Sequence, residues 1–172
     1  MGISDAGSPP RSSALAAGQL ALWFLEALAP GSGVYNLVSS ARVRSAVDPA
    51  ELRRTFQALA DRHASLRTTF ELRDGEPTRQ VHGRLPIGWV EEDVSGYSDE
   101  DLDRRLVEEA YRPFVLASEA PMRVGVFRRQ GGDVTLLVVL HHLVADFGSL
   151  IVVLRELGPF YTAACGGPVP EL

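Results

Sequence analysis

Two adjacent histidines and an aspartate lie near the end of the chain, directly after a long apolar run. His141 and His142 follow the segment 134–140, VTLLVVL, and Asp146 lies four residues after His142. An imidazole can exchange a proton near neutral pH or bind a metal, and a carboxylate can orient an imidazole or pair with an arginine. This group is therefore the first candidate for chemistry.

The two histidines are expected to have different roles if the apolar run is a strand. Successive side chains of a strand point to opposite faces, so the rings of His141 and His142 diverge. A histidine at a strand end can also be purely structural, with a ring nitrogen hydrogen-bonded to the backbone. A zinc site of His141, His142 and Asp146 is disfavoured because diverging side chains cannot easily bind one ion, and the sequence offers no second ligand cluster. We therefore expect no metal.

The composition is that of one folded domain. The chain has 172 residues, 45% hydrophobic and 23% charged, which is ordinary for a globular protein. Its net charge is -5 and all 17 basic residues are arginines without a basic stripe, so nucleic acid is not an expected partner. No apolar run reaches the length of a membrane span, and the N-terminus does not resemble a secretory signal. The expected location is the cytoplasm.

Local patterns predict four helices. Apolar spacing predicts the first over residues 15–29, and Asp48 followed by Pro49 predicts the start of the second. Ser98 with Asp101 resembles a capping pair that opens the third. The fourth follows the histidines and ends at Gly166.

The strands are predicted from alternation and turn residues. We expect a strand over 35–44, a hairpin over 67–82 that turns at Asp74-Gly75, and a short strand over 87–93. Two further strands join at Gly131-Gly132, and the second of them is apolar throughout, which predicts a central position buried on both faces. Residues 1–13 are expected to form a flexible lead-in. The element order predicts a mixed α/β domain.

Three stretches carry a resemblance to a known family. HHLVADFG, residues 141–148, resembles the HHxxxDG motif of non-ribosomal peptide synthetase condensation domains. DRHASLRTTF, residues 61–70, is similar to their RHxxLRTxF motif, and GQLALWFL, residues 18–25, to their SxAQxRLWF motif. The motifs follow the family's order across nearly the whole chain. The resemblance implies a chloramphenicol-acetyltransferase-like lobe of the α+β sandwich type, in which a mixed sheet is flanked by helices.

The resemblance also implies roles for individual residues. His142 would be the catalytic histidine in amide formation, as a proton acceptor or as a group that orients the nucleophile and stabilises charge. Asp146 would pair with an arginine and brace the loop, with Arg62 preferred over Arg67, and His141 would be structural. Gln19 and Trp23 match the SxAQxRLWF motif. Trp23 is expected to be a core residue more than a substrate contact.

The sequence departs from the family pattern in two ways. Ala16, Gly18 and Ala21 replace the serine, alanine and arginine of the first motif, and Phe147 stands where the motif has glycine, a feature that hints at condensation domains of hybrid polyketide assembly lines. The family fold has two lobes, and residues 14–172 are expected to form the N-terminal one, without the C-terminal lobe.

The implied partners are peptidyl or acyl carrier proteins, which present substrates on 4'-phosphopantetheine, and a condensation C-terminal lobe in the same or another chain. No cofactor is expected to bind directly. The free lobe is expected to expose an apolar face and to self-associate. The alternative is a catalytically inactive lobe that serves as a docking or structural module.

Overall fold

The chain forms two sheets with helices packed around them. The computed structural model describes residues 11–29, 31–45 and 47–168. The helices are α1 (Ala17–Leu28), α2 (Pro49–Arg62), α3 (Asp99–Tyr111) and α4 (Phe147–Ala164). The strands are β1 (Arg11–Ala14), β2 (Asn36–Val43), β3 (Thr68–Arg73), β4 (Glu76–Val81), β5 (Gly88–Asp93), β6 (Met122–Arg128) and β7 (Val134–His141).

Strand β7 is the centre of the larger sheet. The strand order is β2-β7-β6-β5, with β7 antiparallel to both neighbours and β5 parallel to β6. All eight residues of β7 are buried. A strand covered on both faces must be apolar throughout, so the predicted central position of this segment is confirmed.

Each face of the larger sheet has its own apolar core. On one face, residues of α2 and α4 such as Phe56, Leu59 and Val153 pack against the strands. On the other face, Phe70 of β3 and Leu102 of α3 pack with the sheet in a second cluster. The sheet therefore lies between two layers, which is the predicted mixed sheet flanked by helices.

A smaller sheet has the order β1-β4-β3 and is antiparallel throughout. The hairpin of β3 and β4 turns at Asp74 and Gly75, which have φ angles of 54° and 83°. Two consecutive positive φ angles are what a tight two-residue hairpin needs, and Asp-Gly adopts them readily. The predicted hairpin is confirmed.

The prediction of a flexible lead-in is wrong for residues 11–13. They belong to β1, in which Ser12 pairs with Gln80 and Ser13 with Arg79 of β4. The partner strand is almost seventy residues away, so no local pattern could reveal this pairing, and the small polar residues of β1 give a weak strand signal of their own. Residues 1–10 lie outside the described residues.

The predicted helix starts are confirmed by their caps. The Asp48 side chain accepts hydrogen bonds from the backbone amides of Ala50 and Glu51 at the start of α2. Ser98 and Asp101 form the reciprocal capping box that opens α3. These contacts satisfy amide groups that a helix cannot pair internally.

Candidate active site

The end of β7 places the two histidines on opposite sides of the strand. The backbone amide of His141 donates to the carbonyl of Pro121 at 3.0 Å, and that of His142 to the carbonyl of Tyr35 at 2.9 Å. These hydrogen bonds fix the backbone of both histidines at the end of β7. The His141 side chain is buried and the His142 side chain is exposed, so their rings diverge as strand alternation requires.

The ring of His142 is oriented by one hydrogen bond. Its Nδ1 lies 2.7 Å from the carbonyl oxygen of Ala145. A carbonyl oxygen only accepts, so Nδ1 carries the proton. In the neutral ring Nε2 then has a free lone pair, and the exposed position of the side chain leaves it accessible. The geometry fits a proton acceptor.

His141 has the opposite tautomer. Its Nδ1 accepts a hydrogen bond of 3.2 Å from the Leu143 backbone amide, so the proton of the neutral ring resides on Nε2. That nitrogen lies 3.6 Å from a carboxylate oxygen of Glu26, and the ring meets Phe114 edge to face. Burial, followed by the nearby His142, lowers the pKa of His141 to about 4. The ring is therefore neutral at physiological pH.

The buried His141 should make the protein sensitive to mild acid. Its pKa in the unfolded chain is near 6.5 and in the folded chain about 4, so between these values only the unfolded chain binds the proton. The free energy of unfolding should therefore fall as the pH decreases from 6.5 towards 4, by up to about 3 kcal/mol. Chemical denaturation at several pH values measures this slope.

The comparison that isolates this effect is His141→Asn. The asparagine oxygen can accept the Leu143 amide but does not titrate, so the variant should show a shallower pH dependence than the natural chain. Equal slopes in the two proteins would assign the acid sensitivity to other groups.

Asp146 caps helix α4. One of its carboxylate oxygens accepts from the backbone amide and the hydroxyl of Ser149, both at 2.7 Å. These two hydrogen bonds, the backbone one first, lower the pKa of Asp146. The carboxylate thus closes the loop that carries His142 and satisfies an amide at the start of α4.

The expected pairing of Asp146 with an arginine is wrong within the described residues. Nε of Arg62 instead lies 3.7 Å from Glu156 of α4, which also contacts Nε2 of His63 at 2.6 Å. Arg67 donates to the carbonyls of Asp61 and His82. Arg62 and Arg67 thus make their contacts at the end of α2, whereas Asp146 is hydrogen-bonded to Ser149, three residues further along the chain.

Replacing Asp146 should reveal that it acts as a cap. Asp146→Asn keeps an oxygen that can accept from Ser149, so this variant should fold and retain the loop. Asp146→Ala removes that acceptor, and the Ser149 amide should lose protection from hydrogen exchange. If Asn proved as damaging as Ala, the charge of Asp146 would be needed and capping alone would be insufficient.

Helix α1 contacts the histidine loop through polar side chains. Nε2 of Gln19 donates to the Leu143 carbonyl at 2.9 Å, and its Oε1 accepts from the Ala16 amide at 3.2 Å. Trp23, one turn further along, is partly buried against the second core. The structure therefore brings Gln19, His141, His142 and Asp146 to one region, while Arg62 and Arg67 stay at the end of α2.

Sequence reasoning missed Glu26 and Phe114. Glu26 is the only charged residue in the apolar segment 14–29, and that isolation was a usable signal, since a carboxylate in an apolar helix face usually has a specific partner. Phe114 lies in a loop and gave no signal. Its ring contacts both His141 and Arg123.

A cavity of about 380 Å³ opens beside α1. Its walls come from α1, from β3 and from the loop after α3, and are mainly apolar; they include Trp23, Glu26, Phe70, Leu72, Phe114 and Leu116.

In the part of the chain that the structure describes, no three histidine, cysteine or acidic side chains cluster as metal ligands would. None of the helices there is long and apolar enough to cross a bilayer.

Comparison with known proteins identifies the family. The family model described as condensation domain matches residues 11–172. The chain is 34% identical over 158 residues to a linear gramicidin synthase of Brevibacillus parabrevis, covering 90% of this chain and 2% of that protein. It is 37% identical over 148 residues to bassianolide nonribosomal cyclodepsipeptide synthetase of Beauveria bassiana, covering 85% and 4%. The chain thus spans a small part of these relatives.

Solved structures of similar fold support the same family. The crystal structure of the starter condensation domain of rhizomide synthetase RzmA superimposes with a TM-score of 0.84 at 20% identity, over 94% of this chain and 40% of that one. The predicted chloramphenicol-acetyltransferase-like fold is confirmed. The chain belongs to the condensation domain family and corresponds to the N-terminal lobe of its fold.

Proposed function

We propose that this chain is the N-terminal lobe of a condensation domain in a non-ribosomal peptide synthetase or a hybrid polyketide assembly line, working in the cytoplasm. The reaction is amide formation between an acyl or peptidyl thioester on one carrier protein and an aminoacyl group on another. Substrates arrive on 4'-phosphopantetheine, and no cofactor binds the lobe directly.

The orientation of His142 carries this proposal. Its Nδ1 is fixed on the Ala145 carbonyl at 2.7 Å, and Nε2 is left as an exposed acceptor. In the reaction the amine nitrogen attacks the thioester carbonyl, the carbon–sulfur bond breaks, and the proton lost by the amine ends on the departing thiolate. Nε2 of His142 either takes that proton or orients the amine and stabilises the developing charge.

The other motif residues support His142. Asp146 fixes the start of α4 through Ser149, and His141 remains neutral and buried beneath the loop. Gln19 holds the Leu143 carbonyl. Arg62 and Arg67 brace the end of α2. Asp146, His141 and Gln19 thus shape the loop that carries His142.

Helix α1 exposes an apolar face, which supports the proposal that a partner covers it. Helix α1 has no buried residue, and Phe24 and Leu28 are 56% and 81% exposed. Several large apolar side chains of one helix rarely remain in water unless a partner covers them. We assign this face to the C-terminal lobe, and in its absence to self-association.

The test is amide formation from carrier-bound donor and acceptor, read by intact-protein mass spectrometry. The chain alone should give little product, because half of the walls that position the two thioesters are absent. Addition of a condensation C-terminal lobe should yield product. Carrier binding without product under any condition would favour the alternative, an inactive lobe that serves as a docking module.

A further inference from the structure

We propose that Glu26 and Gln19 of α1 are positioning residues. They contact the residues on either side of His142 and thereby fix the direction of its Nε2. The kinetic part of this inference rests on the proposed function. The geometric part concerns only the shape of the histidine loop.

The two side chains reach the residues that flank the catalytic position. Oε2 of Glu26 lies 3.6 Å from Nε2 of His141, and Nε2 of Gln19 donates to the Leu143 carbonyl at 2.9 Å. Gln19 and Glu26 are seven residues apart, or two helical turns, so they share one face of α1. The helix therefore hydrogen-bonds the residue after His142 and places a carboxylate beside the ring of the residue before it.

The chemistry of the Glu26 contact is complementary. The Leu143 amide occupies Nδ1 of His141, so the proton on Nε2 faces the Glu26 carboxyl. Oε2 of Glu26 is buried and accepts no hydrogen bond from any described residue, and burial raises the pKa of this carboxyl. A buried acceptor without a donor is unfavourable, and at 3.6 Å the His141 N–H needs only a small shift to become that donor.

The direction of the His142 ring depends on these two contacts of α1. Its single orienting bond, from Nδ1 to the Ala145 carbonyl, spans the turn that contains Leu143. Release of the Leu143 carbonyl or of the His141 ring would let the peptide groups of that turn rotate. The Ala145 acceptor would then move, and Nε2 would no longer point in one direction.

Nitrogen-15 spectra of the histidine rings test the inference on the chain itself. In the natural chain near pH 8, His142 should show the Nδ1–H tautomer and His141 the Nε2–H tautomer. In Glu26→Leu we expect the His142 signal to become the average of both tautomers, as in a free exposed imidazole. Glu26→Gln should retain the natural pattern, because an amide oxygen can accept from His141.

A matched control comes from the same cavity. Glu71 also lines it, but its carboxylate pairs with Arg73 at 2.6 Å. Glu71→Leu should therefore leave the ring signals of His142 unchanged. Gln19→Glu provides an independent second variant, since it places a carboxylate oxygen against the Leu143 carbonyl, and it should disturb His142 as Glu26→Leu does.

The kinetic prediction separates positioning from simple stability. With a C-terminal lobe supplied, Glu26→Leu should lower kcat about tenfold to a hundredfold with little change in KM for the carrier-bound substrates, because small misplacements of a reacting group are costly. A natural His142 signal in both Glu26→Leu and Gln19→Glu would overturn the inference. Because the spectra need no turnover, they remain decisive even if the proposed reaction fails.

Discussion

His142→Ala is expected to lower the rate of amide formation by about 10²- to 10⁴-fold, the range typical of a lost general acid or base. The reason is local: Nδ1 of His142 is fixed on the Ala145 carbonyl at 2.7 Å, so the ring offers Nε2 in one direction. Alanine removes the acceptor and leaves the buried core intact, because the side chain is exposed.

The assay combines the chain with a condensation C-terminal lobe and two loaded carrier proteins. A matched control is His82→Gln, since His82 directly follows β4 of the smaller sheet and the hydrogen bond of its ring is with Thr69. The control should form product at the natural rate. If His142→Ala were as active as this control, His142 would not be the catalytic residue.

Glu109→Ala is expected to destabilise the fold by about 3–5 kcal/mol, the usual cost of leaving a buried charge without its partner. Arg123 is 1% exposed and Glu109 is 4% exposed. The Glu109 carboxylate lies 2.8 Å from Nε of Arg123, in an ion pair, and also accepts a hydrogen bond from Nε of Arg112.

Removal of Glu109 would leave the buried Arg123 guanidinium without its carboxylate partner. Desolvation by burial, with the charge of Arg112 second, already lowers the pKa of Arg123 to about 10. The Arg123 group also lies over the Phe114 ring at 4.4 Å, so its rearrangement would disturb the ring that contacts His141. Stability and the candidate site are thus coupled at this point.

Urea denaturation measures the effect. The control is Glu108→Ala at the neighbouring exposed position, where a change within about 0.5 kcal/mol is expected. The double variant Glu109→Leu with Arg123→Met should recover much of the loss, because it replaces both charges with apolar groups. A small effect of Glu109→Ala alone would mean that the backbone carbonyls of residues 109 and 112, which accept from Nη2 of Arg123, are enough to stabilise the buried guanidinium.

The family assignment and the candidate residues come from short motifs whose members lie within ten residues of one another. The same is true of the Asp48 cap, the Asp74-Gly75 turn and the Ser98 capping box. Such features are predictable because the interacting groups are neighbours in the chain, and their geometry depends on few backbone angles.

The partner of Asp146 shows where motif reasoning fails. The resemblance predicted an arginine, yet the carboxylate binds Ser149, three residues away. The choice depends on which donor the folded chain brings closest, and Phe147, in the motif's glycine position, lies within the first turn of α4. A motif specifies residue types, whereas the local backbone geometry of the folded loop decides which donor the aspartate meets.

By itself, the sequence determined the order of the four helices and of strands β2 to β7, the buried position of β7 and the divergence of His141 and His142, since each follows from local patterns. Only the tertiary structure decided that Gln19 reaches Leu143 across 124 residues, that Glu26 faces His141, and that residues 11–14 form a strand. These contacts join segments remote in the chain, and their formation depends on packing of the whole domain.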